Sequence, residues 1–490
     1  MVTLNRWLWR CVAVALLIAG GGIIATAPPA RTPARPVLAA AVAPSTNVHI
    51  FYYPWYGNPA GLGNYLHWDQ GGHVPPADIG ANLYPKLGAY DSGDVATIDQ
   101  HMEWIARSGA GTIVYSWWGQ GSYPDNLAPR VLESASRHGI KVAWHIEPYT
   151  GRTAASTVAD INYIISRYGS SPAFYRDAAH GNRSVYYVFE STRITDWSAL
   201  EQVRSTALVL AQTTDLSRVA HFGGVYTYDT FAAVNAVGWS SIAAQLAANG
   251  LVWAPSVGPG YIDDRAGPGN TTPTLDRDNG ATYDREWTNA LATSPPWVSV
   301  TSFNEWHEGS SIEPASASPP AGFGYQTYSG AYGTTGTASE TAYLDRTRHW
   351  VDQFQQATTP APVSLRARVN NKYVVAENAG GSPLIASGTA VGTSAEFELI
   401  NVSPTTIALR SRANGLLVTA ENAGAAPLIA NRSAVGPWET FELIRNSDGT
   451  VSLRALANGR YVCAENGGAS SLIANRTAIG LWERFDLIGG

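Results

Sequence analysis

Hydrophobic and polar positions along the chain follow two rhythms. From about residue 47 to 356, short apolar and aromatic runs recur between longer stretches with helical spacing. The strand-like runs cover residues 48–53, 112–116, 142–145, 185–189, 207–211, 222–226, 251–254 and 298–303. The helix-like stretches include 94–107, 127–138, 154–168, 198–205 and 231–248. Strands buried on both faces read as continuous apolar runs rather than as alternating ones. Eight of them alternating with helices predict an α/β fold, a (β/α)8 TIM barrel over residues 47–356. A stretch rich in Gly, Pro, Ser and Thr at 316–337 follows, then a helix near 341–354 and a linker at 357–362.

Beyond the linker the rhythm shortens and repeats. Ser-Leu-Arg-Ala stands at 364–367 and 452–455, with Ala-Leu-Arg-Ser at 408–411 between them. Ala-Glu-Asn recurs at 376, 420 and 464, Leu-Ile-Ala at 384, 428 and 472, and Phe at 397, 441 and 485, always 44 residues apart. A unit this small cannot bury a core alone, so three of them predict a closed three-fold β structure, a β-trefoil over 363–490. Its first unit is degenerate. Ser394 stands where the others have Trp438 and Trp482, and Gly388 where they have Arg432 and Arg476. It is either a spacer or a module that attaches the protein to a glycan or a cell surface.

Composition then narrows the function. The chain has 490 residues, 32 Lys+Arg against 38 Asp+Glu, and 11% aromatic residues including 17 Trp and 24 Tyr. That acidic balance disfavours nucleic acid, whose phosphates need a basic field. Arg6 and Arg10 precede an apolar run at 11–27, and a Pro/Ala-rich stretch leads to Ala39, Ala40 and Ala41. This is the pattern of an export signal, with cleavage near Ala27 or Ala41, and predicts a secreted protein without stable membrane insertion. Outside that leader the only cysteine is Cys463, in the slot of Val375 and Thr419, which reads as a strand residue.

Barrel sites form where strands end. Here those ends carry Tyr53-Pro-Trp55-Tyr56, Trp117-Trp118, His145-Ile-Glu147, Glu190, Tyr226 and Tyr228, Tyr261, and Asn304-Glu305-Trp-His-Glu308. Carboxylates ringed by aromatic residues suit a glycoside cleft, because rings stack on sugar C–H faces and acids move protons. Glu305 and Glu308 are the candidate catalytic pair. Cleavage needs a proton for the leaving oxygen and a second carboxylate for the anomeric side. On the residues alone, that second carboxylate serves either as nucleophile or as base. Tyr53, Trp118, His145, Glu147, Tyr226, Tyr228, Tyr261 and Asn304 are candidate substrate-binding residues. If the chain stays extended at Trp117 and Trp118, one points into the barrel and the other toward the cleft. No metal is expected, since a zincin helix needs a second His at 311, which is Ser. No cofactor is expected, because no Gly-x-Gly-x-x-Gly opens a helix after a strand.

The motifs Phe51-Tyr-Tyr-Pro-Trp-Tyr-Gly-Asn-Pro59, His145-Ile-Glu-Pro-Tyr149, Pro255-Ser-Val-Gly-Pro-Gly-Tyr-Ile-Asp263 and Thr301-Ser-Phe-Asn-Glu-Trp-His-Glu-Gly309 occur in order. They resemble glycoside hydrolase family 99, the endo-α-1,2-mannosidases and endo-α-1,2-mannanases. The repeats resemble the fascin-like trefoils appended to secreted bacterial glycosidases. The family resemblance implies a barrel and retaining cleavage through a 1,2-anhydro sugar, with Glu305 as the base acting on the sugar 2-hydroxyl and Glu308 as the acid. The substrate it implies is α-mannan or another mannose-containing glycan. Ser116-Trp117-Trp118 resembles bacterial members that act on mannans rather than animal members with Ser-Trp-Tyr, and places Trp118 at the −2 subsite. The alternatives are an endo-α-1,2-mannosidase preferring glucosylated N-glycans and a non-catalytic glycan-binding surface protein. Gly309-Ser-Ser-Ile-Glu313 and Glu190 depart from the family pattern of Gly-Thr-Gln-Ile-Glu and Asp.

Overall fold

A computed structural model of the protein describes residues 43–358, 361–403 and 405–489. The leader, with its export signal and cleavage sites, lies outside the described residues.

The N-terminal domain of the described residues is a parallel barrel. Its strands are β1 (Ser45–Tyr52), β2 (Ala110–Trp117), β3 (Lys141–Ile146), β5 (Arg183–Val188), β6 (Ala207–Gln212), β7 (Gly224–Tyr226), β8 (Val252–Ala254), β9 (Ser256–Val257) and β10 (Val298–Val300). A two-residue β4 (Arg176–Asp177) pairs antiparallel with β5 at the rim. β8 and β9 are halves of one barrel strand parted by Pro255, so eight strands close the ring. β8 pairs with β7, β9 pairs with β10, and β10 returns to β1. Proline has no N–H to give to a ladder, and strands tilted in a barrel engage their two neighbours at different heights.

Side chains alternate across each strand. Phe51, Val114, Ala143, Val185, Tyr187, Leu208, Leu210, Tyr226, Val252 and Ala254 share one buried cluster, the filling of the barrel. Their neighbours Tyr52, Ile113, Tyr115, Trp144 and Tyr186 face outward into the larger cluster under the helices. Trp117 follows the same alternation and corrects the expectation for the Trp117–Trp118 pair. It belongs to the outer layer, where its indole N–H donates to Asp125 (2.8 Å), so it does not enter the barrel.

The helices are α1 (Val95–Ser108), α2 (Tyr123–Arg137), α3 (Ala154–Tyr168), α4 (Thr230–Asn235), α5 (Trp239–Ala248), α6 (Ala281–Leu291) and α7 (Ala342–Thr358). Their starts are set by capping: Asp94 accepts from the Thr97 N–H (3.0 Å) and Ser122 from the Asp125 N–H (3.2 Å). The single helix expected over 231–248 is two helices. Gly238 adopts a left-handed φ of +75° between them, a conformation that glycine reaches without the Cβ penalty. The crossovers after β5 and β6 shrink to 3₁₀ turns, Ser198–Val203 and Leu216–Arg218.

The C-terminal domain is all β. Twelve strands from Val363–Ala367 to Phe485–Gly489 form one antiparallel sheet in which the first and last strands pair, Val363 with Gly489 through Ala367 with Phe485. Equivalent residues of the three repeats meet in a separate core, among them Leu384, Leu428 and Leu472 with Phe397, Phe441 and Phe485. Cys463 is buried in that domain, and burial followed by Glu483 pushes its thiol up to about 12, so it stays protonated.

Candidate active site

The loop after β10 is held by hydrogen bonds within itself and to the neighbouring rim segments. Phe303 N–H donates to the Phe51 carbonyl (2.8 Å), which ties the loop to β1. Ser302 Oγ accepts from the Glu305 N–H (2.8 Å), and Glu313 N–H returns to the Phe303 carbonyl (2.8 Å). Asn304 is fully buried, and its amide grips the start of the neighbouring rim segment twice. Its Oδ1 accepts from the Tyr53 N–H (2.7 Å) and its Nδ2 donates to the Tyr53 carbonyl (2.9 Å). Gly309 sits at φ +57°, where a Cβ would lie 2.5 Å from Ile262 Cγ2 and 2.9 Å from the Ile262 carbonyl oxygen. That close approach lets the Ile262 N–H reach the Glu308 carbonyl (2.8 Å) and joins the loops after β9 and β10.

Glu305 and Glu308 come together on this scaffold. Glu305 is buried and its Oε1 accepts from the His307 N–H (3.1 Å). Its carboxyl is held well above the usual carboxylate range, first by burial and then by the charge of Glu308. Burial also raises Glu308, to about 7, with Asp263, Glu147 and Asp229 adding to the push and a hydrogen bond with Tyr228 opposing it. Two carboxylates in one low-dielectric site cannot both ionise cheaply, so the pair retains a proton toward neutral pH and titrates as a unit.

A second group faces them from β2 and β3. Glu147 is buried; its Oε1 accepts from Ser116 Oγ (2.7 Å) and lies 2.9 Å from His145 Nδ1. Ser116 in turn accepts from the Trp118 indole N–H (3.1 Å), and His145 Nε2 meets the Tyr226 hydroxyl (2.9 Å). The order is Trp118, Ser116, Glu147, His145, Tyr226, running from the rim into the barrel. The Tyr53 and Tyr228 hydroxyls are hydrogen-bonded to each other, and the Tyr228 ring stacks on His145 with centroids 5.7 Å apart. Tyr228 holds a left-handed φ of +58°, uncommon for a bulky residue. Its N–H donates to Ser256 Oγ (2.6 Å) there. Tyr261 stands half-buried on the other side, its hydroxyl donating to Asp263 (2.8 Å). Trp118 is half-buried at the rim, 6.0 Å from Trp55, whose indole stacks on His67.

The structure thus gathers Tyr53, Trp118, His145, Glu147, Tyr226, Tyr228 and Tyr261 around the two acids, with Tyr226 deep in the barrel filling. Asn304 differs, because its amide is spent on Tyr53 backbone. Sequence reasoning did not single out Ser116, Asp229 or Asp263, nor the buried brace beneath the loop. In that brace Glu313 accepts from Tyr90 (2.8 Å) and the Trp306 indole (3.1 Å), and its Oε1 lies 3.2 Å from His101 Nε2. Asp263 closes the Pro255–Asp263 motif and was open to notice. His101 and Tyr90 carry no local signal, since only the closed barrel brings them to Glu313. Among the described residues no group of His, Cys, Asp and Glu is arranged to hold a metal ion.

A barrel whose mouth holds two electrostatically linked carboxyls within a wall of rings is built for glycoside chemistry. The chain belongs to glycosyl hydrolase family 99, whose sequence profile matches residues 44–356, and is a glycoside hydrolase. It is 36% identical over 355 residues to the mouse protein named glycoprotein endo-alpha-1,2-mannosidase, covering 63% of this chain and 75% of that one. The Xenopus laevis protein of the same name is 36% identical over 361 residues, with 64% and 78% covered. Among solved structures, the family 99 endo-alpha-mannosidase of Bacteroides thetaiotaomicron superposes with a TM-score of 0.58 at 32% identity, over 64% of this chain and 99% of that one. These matches confirm the barrel and the family expected from the motifs.

Replacing Asn304 by Ala strands the buried Tyr53 N–H and carbonyl. Each lost partner of this kind costs about 1–3 kcal/mol. Urea denaturation of Asn304→Ala is expected to show a loss of about 2–5 kcal/mol; an unchanged midpoint would remove Asn304 from this role.

Proposed function

We propose that the chain is an exported endo-acting α-mannoside hydrolase that cleaves internal α-1,2-mannosidic bonds in α-mannan or high-mannose glycans. The observation that carries this reading is the linked carboxyl pair at the barrel mouth, with Glu308 held near 7 where a proton donor at neutral pH must sit. The family and the names of its relatives support the bond that is cut. The leader supports export, and no described helix is long and apolar enough to cross a membrane.

In this reading Glu305 is the base and Glu308 the acid. Glu305 takes the proton of the mannose 2-hydroxyl, and that oxygen attacks the anomeric carbon and closes a 1,2-anhydro ring. The bond to the leaving oxygen breaks as Glu308 protonates it. Glu308, now ionised, takes a proton from water as the water opens the ring at the anomeric carbon, and Glu305 returns its proton to the 2-oxygen. Two displacements at one carbon retain its configuration. These roles need Glu305 ionised and Glu308 protonated, whereas without substrate burial raises both. Ionisation of Glu305 is supported by the backbone N–H groups of His307 and Glu308, which favour its charged form.

Glu147 suits binding of sugar hydroxyls, fixed by Ser116 and His145, while Tyr53 and Tyr228 orient Glu308. Trp118 offers its ring at the rim as the −2 platform. Asn304 is a positioning residue, and Tyr226 acts through His145. The paralleled repeats, the three shared core layers and the paired first and last strands support reading the C-terminal domain as a β-trefoil.

The variant Glu308→Gln should lose about 10²–10⁴-fold in kcat on yeast α-mannan, the range that general acid catalysis supplies, with a smaller loss on a fluoride donor that needs no protonation. Full activity would remove Glu308 from the acid role. Because Glu308 must hold its proton, kcat/KM on mannan should fall as pH rises through about 7 and approach tenfold per unit above it. A flat profile from pH 6 to 9 would contradict that assignment. The Trp118 indole N–H is already spent on Ser116 and its ring face offers no polar partner to an equatorial 2-hydroxyl, so mannosyl-α-1,3-mannosyl fluoride should exceed its glucosyl counterpart in kcat/KM by about tenfold or more. A glucose preference would favour the glucosylated N-glycan reading suggested by the animal relatives.

A further inference from the structure

The three C-terminal repeats provide their own control for what the fold requires. Asn370, Asn414 and Asn458 occupy equivalent places, and each donates from Nδ2 to the carbonyl of Ala386, Ala430 or Ala474 at 2.8 Å. The backbone bonds at position 394 and its equivalents also match. Ala376, Ala420 and Ala464 donate their N–H groups to the carbonyls of Ser394, Trp438 and Trp482, each at 2.8 Å. The fold therefore makes the same connection whether the side chain there is serine or an indole.

A surface set does not repeat three times. In the second repeat Glu421 accepts from Asn431 Nδ2 (2.7 Å) and Arg432 Nη2 (3.0 Å). In the third, Glu465 accepts from Asn475 Nδ2 (3.0 Å) and Arg476 Nη2 (2.8 Å). The turn presenting each tryptophan is pinned as well: Glu439 accepts from the Gly436 N–H (2.9 Å) and Glu483 from the Gly480 N–H (2.7 Å). The first repeat keeps Glu377 but has Ser387, Gly388, Ser394 and Ala395 at the other four places, and Ser387 alone bonds Glu377 (2.6 Å). Four side chains are missing together while the backbone stays the same, so they form a unit with a purpose other than folding.

Trp482 is 37% exposed and Arg476 lies 6.0 Å from its ring centroid; Trp438 is half-buried. An indole left open to water forgoes the free energy of burial, and its rigid turn lowers the ordering cost of a contact. Beside the Trp482 ring stands the Arg476 guanidinium, itself fixed by Glu465, and the second repeat carries the same Glu, Asn, Arg and Trp at the equivalent positions. A flat apolar face next to fixed donors and acceptors is complementary to a pyranose, with its C–H face on one side and vicinal hydroxyls at the edge.

We propose that the second and third repeats carry two equivalent polysaccharide-binding sites, Glu421/Asn431/Arg432/Trp438 and Glu465/Asn475/Arg476/Trp482, and that the first repeat has none. The choice of α-mannan as ligand rests on the proposed function; the sites themselves do not. Two sites on one domain raise avidity for a polymer that spans both, without further contacts.

The test uses the full chain in native gels containing yeast α-mannan, with Glu308→Gln present so that the polymer survives. Trp438→Ser and Trp482→Ser install the residue that the first repeat already accommodates. The double variant should lose at least about tenfold in apparent affinity, and each single variant should fall between it and the parent. With Glu308 intact, the double variant should hydrolyse a short soluble manno-oligosaccharide at the parent rate. A parent chain that mannan does not retard would overturn the proposal, as would a folded double variant retarded as strongly as the parent. Tryptophan-dependent retardation without any mannan hydrolysis would sink the proposed activity and leave these sites standing.

Discussion

Two linked carboxyl groups, Glu305 buried and Glu308 half-buried at the same barrel mouth, are the constraint on which the rest of this structure depends. Neither Glu305 nor Glu308 sheds its proton at the ordinary carboxylate pH, because each charge would lose solvation, Glu305 beside Glu308 and Glu308 beside Asp263, Glu147 and Asp229. The site answers with weak, directed compensation: backbone N–H groups toward Glu305 and a tyrosine hydroxyl toward Glu308. Asp263, Glu147 and Asp229 add negative charge around Glu308, and that crowding helps hold it near neutrality. An arginine at the same distance would leave it ionised and unable to donate.

Keeping such a pair together needs a rigid base, since the groups repel when ionised. Asn304 fastens the loop to the Tyr53 backbone, and Glu313 anchors it below through Tyr90 and Trp306. Arg277 donates to the Gly309 and Ser311 carbonyls (2.8 and 2.7 Å) while lying over Tyr328 and Tyr343. Each brace satisfies buried polar groups that the irregular backbone would otherwise leave bare. The aromatic wealth of the chain therefore divides: Trp118 and Tyr261 face the cleft, whereas Tyr90, Trp306 and Tyr328 hold its floor.

Much of this was legible in the residues. Continuous apolar runs mark the barrel strands because both faces are buried, and all eight stand where they were expected. Strand ends then expose the site, since the rim is where a barrel places side chains free of packing. The misses have physical causes. The expectation that one of Trp117 and Trp118 enters the barrel failed because adjacency does not set the phase of a strand; Val114 and Ser116 face inward, Trp117 faces out, and only the packed barrel reveals it. The helix at 231–248 was drawn through Gly238, a residue that helices tolerate at some cost and that here adopts a positive φ. Asn304 looked like a ligand for sugar because it stands beside Glu305, and nothing local shows its amide turned toward Tyr53. The brace through His101 joins residues more than two hundred positions apart, which no short motif can display.

The interruption at Pro255 bears on how the mouth of the barrel is divided. β9 leaves β8 behind and joins β10, and the segment it launches is bonded again at Ile262 to the carbonyl of Glu308. Tyr261 and Asp263 thereby travel with the acid-bearing loop as one plate, while β7 and β8 form the plate beside it. Where the ladder lacks a rung, side chains join the two plates instead: the Tyr228 N–H beyond β7 donates to Ser256 Oγ (2.6 Å), and Thr227 Oγ1 accepts from the Ser256 N–H (2.9 Å).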